Sequence, residues 1–181
     1  MKVIILAGMP GSGKDEFIKV GIKMGLSVIK MGDLVREEMK KRNLTINAQT
    51  IGEFASKERH DHDPGIWAKR VLDKVTEKNT IIEGIRGEAE LNIFKHHFAG
   101  ILEVVAIYSS PNTRYQRILD RDRNDDPDFI DELVKRDRRE LDYGLGNIIT
   151  MSDKLIINEG SIEEFQQQAE RILRSILRDE D

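Results

Sequence analysis

The sequence contains no cysteine, which excludes a disulfide framework, a thiolate zinc site and a catalytic thiol, and fits a reducing compartment. It also lacks an excess of positive charge. With 29 basic against 33 acidic residues the net charge is −4 and the signs are interspersed, so nonspecific nucleic-acid binding has no broad basic surface to use. Nucleic acid is not an expected partner. Long apolar runs are missing too. Met1-Lys-Val-Ile-Ile-Leu-Ala7 is too short for a membrane span or a signal h-region and leads straight into glycines. It reads as a buried strand, with a cytoplasmic location and no membrane partner expected. Prolines number four, and no Pro/Ser-rich linker, repeat or low-complexity tract divides the chain, so residues 1–181 are expected to form one domain.

What the chain does have is a series of short β-branched or apolar runs. They lie at Val3–Ala7, Leu26–Lys30, Thr80–Glu83, Ile101–Tyr108 and Lys154–Asn158, separated by longer polar stretches of helical character. Continuous rather than alternating apolar strands suit a sheet covered on both faces. The spacing suits parallel strands joined by right-handed helical crossovers. The expected fold is therefore α/β: a doubly wound, five-stranded parallel sheet with helices on both faces. Ligands of such sheets sit beyond the carboxyl ends of the strands, which directs attention to Gly8–Lys14, Gly32-Asp33, Gly84-Ile-Arg86, Ser109-Ser-Pro111 and Glu159-Gly160. Ile162, Phe165, Ala169, Ile172, Leu173, Ile176 and Leu177 recur at helical spacing and mark the packed face of a C-terminal helix.

Gly8-Met-Pro-Gly-Ser-Gly-Lys14 carries the sharpest chemistry. A strand, then Gly-x-x-x-x-Gly-Lys, then a helix is a P-loop: it aims backbone N–H groups and a helix N-terminus at phosphate oxygens. Gly8, Pro10, Gly11, Ser12, Gly13 and Lys14 are thus expected to hold ATP, with Lys14 also catalytic. Asp15 stands where a Ser or Thr hydroxyl normally contacts Mg2+. It can ligate the metal directly or turn away and favour the helix N-terminus electrostatically. Arg59-His-Asp-His-Asp63 has too few ligands at helical spacing for a zinc site. His96 and His97 read as surface.

Met31-Gly-Asp-Leu-Val-Arg36 and Ile82-Glu-Gly-Ile-Arg86 resemble segments of the nucleoside monophosphate kinases, in which two strand-end arginines hold the acceptor phosphate. Nearly the whole chain is similar to an archaeal P-loop kinase family related to adenylate and dephospho-coenzyme A kinases. The strings Gly-Met-Pro-Gly-Ser-Gly-Lys, Gly-Asp-x-Val-Arg-Glu-Glu and Arg-Asp-Arg-Arg-Glu-Leu carry that likeness. The resemblance implies that Arg36 and Arg86 bind the acceptor, together with an acceptor-binding segment of about residues 33–75 in which Trp67 helps to line the pocket. Paired guanidinium donors do match phosphate geometry. Glu83 falls where the family has an aspartate that binds Mg2+ through water or orients the P-loop; a strand-end carboxylate bonded to backbone N–H groups is the alternative.

By the same likeness Arg117 and Arg121 begin a short lid of about residues 117–140, Arg123 with Asp125 and Asp126 follows, and Arg136 or Arg139 closes it. Arg114 belongs to the same run. Cations on a closing segment suit a transition state with charge spread over several oxygens; a solvated face of Asp/Arg pairs is the competing reading. Asn158 and Gly160 match a loop that touches the adenine ring, or form a plain turn. The implied activity is transfer of the γ-phosphoryl group of ATP, with Mg2+, to a nucleoside monophosphate, AMP foremost. Two alternatives stand beside it. One is phosphorylation of a hydroxyl, as in dephospho-coenzyme A, where Asp33 could accept the proton; the other is a nucleotide sensor without useful turnover. The sequence sets no oligomeric state.

Overall fold

Five strands, β1 (Val3–Ala7), β2 (Ser27–Lys30), β3 (Thr80–Glu83), β4 (Leu102–Tyr108) and β5 (Lys154–Ile157), form one all-parallel sheet in the order β2-β3-β1-β4-β5. This computed structural model describes residues 1–76, 78–121 and 129–178. The doubly wound α/β fold expected from the apolar runs is the one observed. β1 lies at the centre because all five of its residues are apolar and can be covered on both faces. The edge strands are less apolar and less buried.

The helices among the described residues are α1 (Lys14–Lys23), α2 (Met31–Lys41), α3 (Ala48–Asp61), α4 (Ile66–Leu72), α5 (Glu88–His97), α6 (Pro111–Arg121), α7 (Ile130–Asp142), α8 (Leu145–Thr150) and α9 (Ile162–Arg178). They make a core on each face of the sheet. One gathers Ile5, Ile82 and Val104 with Met31, Trp67, Phe94 and Ile148; the other gathers Ile4, Ile81 and Ile107 with Phe17, Phe165 and Leu173. Trp67 is therefore core, 1% exposed, with its indole N–H donating to the Ala55 carbonyl at 3.1 Å. The expectation that it lines an acceptor pocket is corrected: its large apolar ring gains more from burial between α3 and α4 than from contact with water.

The helices α2, α3 and α4 are tied together by charge. Glu58 of α3 is almost fully buried and accepts from Arg42 at 2.9 and 3.2 Å and from Arg70 of α4 at 2.7 Å. Burial pushes its carboxyl upward, but the two guanidinium groups outweigh this and hold it below the ordinary value. The opposite edge of the sheet is bare by comparison. Tyr108, Leu155 and Ile157 are exposed on one face of β4 and β5. No helix among the described residues is long and apolar enough to cross a membrane.

Candidate active site

β1 ends at Ala7 in the centre of the sheet, and its neighbours β3 and β4 lead the chain away to either side. The crevice beyond the carboxyl end of β1 is thus the topological switch point, where this architecture places ligands. Gly8–Gly13 fills that crevice and Lys14 opens α1, with Gly13 as its N-cap in the left-handed region at φ 110°. A side chain there would be strained and would press into the amide of Asn158. A Cβ at Gly8 would lie 2.6 Å from Ser12 Oγ and 2.7 Å from the Ile107 carbonyl. The loop is a backbone cradle that tolerates no side chains at these two points.

The cradle is braced from behind. Asn158, just after β5, donates its side-chain amide to the Ser12 carbonyl at 2.8 Å. Ser109, just after β4, donates to the Asn158 carbonyl at 2.6 Å and accepts from Arg117 at 3.1 Å. Arg117 also reaches Asn158 Oδ1 at 3.4 Å. Arg114, 3% exposed, grips Asp137 of α7 with both Nη atoms and donates to the carbonyls of Pro10 at 3.0 Å and Ser109 at 3.2 Å. Tyr115 adds a hydrogen bond to Asp137 at 2.9 Å. Asn158 and Arg114 therefore shape the P-loop from the protein side. Gly160 is exposed in the following turn. The next carboxylate, Glu159, accepts from Thr113 and the Ser110 backbone at the start of α6, and these donors hold it below its ordinary value.

Lys14 curls back into the loop. Its Nζ donates to the Gly8 carbonyl at 2.9 Å and the Met9 carbonyl at 3.3 Å, and stands 3.9 Å from Glu83. Burial lowers its pKa against the opposing pull of Glu83; Arg86 lowers it further, while Glu140 and Asp15 raise it. A cation held in so costly a place is ready to be relieved by phosphate. The residues fit a nucleotide's phosphates on three further counts: the side-chain-free cradle, the N-terminus of α1, and a buried Ser12 Oγ without a hydrogen-bond partner. Asp15 pairs with Lys30 at 3.2 Å. Asp15 and Glu83 could hold Mg2+ with water or phosphate oxygens completing its shell; among the described residues no group of three or more His, Asp or Glu forms.

Arg36 and Arg86 follow β2 and β3, and each is paired with a carboxylate. β2 passes into α2 without a loop, so Asp33 and Arg36 sit in the first turns of that helix and pair at 2.8 Å. Arg86 follows β3, where its backbone N–H donates to Glu90 at 2.8 Å and its guanidinium meets Glu140 of α7 at 2.5 Å. Glu90 is fully buried and also accepts both Nε and Nη2 of Arg59 at 3.0 and 2.8 Å. Arg121 ends α6 and Arg136 lies on α7, both partly buried, and each has polar partners. Arg139 is exposed on α7; Arg123, Asp125 and Asp126 lie outside the described residues. His60, His62, His96 and His97 are exposed. The sequence reading missed Glu58, Glu90, Asp137 and Glu140. Glu140 stood inside the Arg-Asp-Arg-Arg-Glu-Leu string, where only the arginines had drawn a role.

Comparison with known proteins agrees with this architecture. An AAA domain model matches residues 7–134. The UPF0200 protein of Thermoplasma volcanium is 40% identical over 172 residues, covering 94% of this chain and 96% of its own. That of Methanococcus maripaludis is 40% identical over 183 residues, covering 98% and 99%. Among solved structures, a shikimate kinase from Acinetobacter baumannii in complex with shikimate has a TM-score of 0.64 at 16% identity, over 99% of this chain and 95% of that one. A gluconokinase from Sinorhizobium meliloti gives 0.63 at 13%, over 99% and 98%. A dephospho-CoA kinase from Campylobacter jejuni gives 0.58 at 16%, over 97% of each. With a P-loop cradle at its switch point, a kinase-like fold over its whole length and relatives of this identity, the chain belongs to the archaeal UPF0200 family of AAA-domain proteins.

Proposed function

We propose that this protein is an ATP-dependent kinase that phosphorylates a nucleoside monophosphate, AMP foremost. The observation that carries the reading is the position of Arg36 and Arg86 at the carboxyl ends of β2 and β3, beside a P-loop whose lysine is already buried in the loop. Bound MgATP supplies the phosphoryl group and a metal that neutralises its charge. The loop from Gly8 to Gly13 binds the phosphates through the backbone N–H groups of its residues other than Pro10, and Lys14 exchanges its carbonyl partners for phosphate oxygens. Arg36 and Arg86 orient the acceptor phosphate by paired donors, which turns an encounter into an aligned attack. Arg117, Arg121 and Arg136, on the two helices that flank the P-loop, bring cations toward the charge that develops.

A hydroxyl acceptor is the second reading, and one observation favours it. Both acceptor arginines are already neutralised by carboxylates, Arg36 by Asp33 and Arg86 by Glu140. A neutral alcohol would leave the Arg86–Glu140 pair intact, and the exposed Asp33 could accept its proton by giving up its pair with Arg36. The two readings separate in a coupled ADP-release assay with MgATP against AMP, CMP and dephospho-coenzyme A. Turnover of AMP that needs Lys14 and tolerates Asp33→Asn supports the monophosphate kinase. Turnover of dephospho-coenzyme A that both Lys14→Ala and Asp33→Asn abolish replaces it with the hydroxyl kinase. Nucleotide binding without turnover of any acceptor makes the protein a sensor.

A further inference from the structure

Among the described residues, Glu140 is the one buried carboxylate at the site that the kinase reading leaves without a task. It is 7% exposed on α7, its Oε2 lies 2.5 Å from Arg86 Nη1, and that contact has the proximity of an ion pair without the angle of a hydrogen bond. Arg86 is held firmly at its other end, because the buried Glu90 accepts its backbone N–H and is itself fixed by Arg59. The guanidinium is the movable part and Glu140 its resident anion. Three residues earlier in sequence and about one turn away on the same helix face, Asp137 is gripped by Arg114, which also holds the Pro10 carbonyl of the P-loop.

We propose that Glu140 is a specificity-determining residue: it occupies Arg86 as an internal surrogate for the acceptor's phosphate, so that only an acceptor bearing such an anion displaces it. A phosphate dianion offers more charge and more acceptor oxygens than a single carboxylate and replaces it; a nucleoside or sugar hydroxyl does not. Displacement also frees α7 from β3 while Arg114 keeps it attached to the P-loop, so acceptor capture is felt at the donor side. This inference rests on the assignment of Arg86 to the acceptor.

The test measures binding of AMP and of adenosine by calorimetry to the full-length wild type, Glu140→Gln, Glu140→Asp and Arg86→Ala. Removing the competing charge in Glu140→Gln should tighten AMP about fivefold to tenfold and leave adenosine unchanged. Glu140→Asp keeps the charge at a shorter reach and should tighten AMP by a smaller factor, which serves if the glutamine variant does not fold. Equal gains for AMP and adenosine would mean general loosening and overturn the proposal, as would an unchanged or weaker affinity for AMP. Arg86→Ala separates the two ideas. If it leaves AMP binding unchanged, the acceptor assignment itself fails; if it weakens AMP while Glu140→Gln changes nothing, only the surrogate role fails. No detectable AMP binding by any of the proteins overturns both.

Discussion

Lys14 and Glu58 are both charges in unfavourable surroundings, and they answer to pH in different ways. Lys14 is held below its ordinary pKa by burial, which outweighs the opposing pull of Glu83 at 3.9 Å. Replacing it with alanine should cut phosphoryl transfer about a hundredfold to a thousandfold, with the thermal midpoint unchanged or raised; an ADP-release assay and a melting curve check both halves. Glu58 is compensated by Arg42 and Arg70 and sits below the ordinary carboxyl value. A carboxyl depressed in the folded state contributes stability that is full above its unfolded pKa and is lost as pH falls through the folded one. Glu58→Gln should therefore lower stability by about 2 kcal/mol near neutrality, and urea midpoints should show the gap between variant and wild type closing in acid. Lys14 was legible in the sequence as a P-loop lysine because that motif is written in neighbours along the chain. Glu58, Glu90, Asp137 and Glu140 were not, because each meets its arginine only after distant helices pack.

At the scale of elements, the P-loop is legible while its support is not. The glycine spacing identifies the cradle, but nothing local says that Asn158, at the far end of the chain, braces it through the Ser12 carbonyl. The same contact explains why the loop after β5 presents Glu159 rather than the asparagine side chain. Asn158→Ala should leave Ser12 without that donor, weakening MgATP binding while AMP affinity holds; titration of each nucleotide separately checks the pair of outcomes. Gly13→Ala should cost about 2 kcal/mol, since it meets both a left-handed backbone and the Asn158 amide, read as a drop in thermal midpoint. Helix α6 taught a related lesson. Its arginines read as one functional run, yet Arg114 turns inward to Asp137 and the P-loop while Arg117 turns to Ser109 and Asn158. Helical spacing alone does not reveal which contacts a guanidinium will choose.

For the molecule as a whole, the sheet was legible strand by strand because its runs are apolar on both faces, a pattern that few other structures can bury. The two cores share that sheet, so they should fail together. Ile82→Ala on one face and Leu173→Ala on the other, both fully buried, should each cost about 3 kcal/mol within one cooperative unfolding transition of unchanged denaturant slope. Two separate transitions would contradict a common core. The central placement of β1 has a consequence for synthesis. Val3–Ala7 emerges from the ribosome well before its partners, Thr80–Glu83 and Leu102–Ala106. At ribosomal speed the wait for β3 is roughly 5–15 s. Through that interval the nascent chain displays five consecutive apolar residues whose native partners are not yet made, and those seconds are when a holding chaperone has the most to bind.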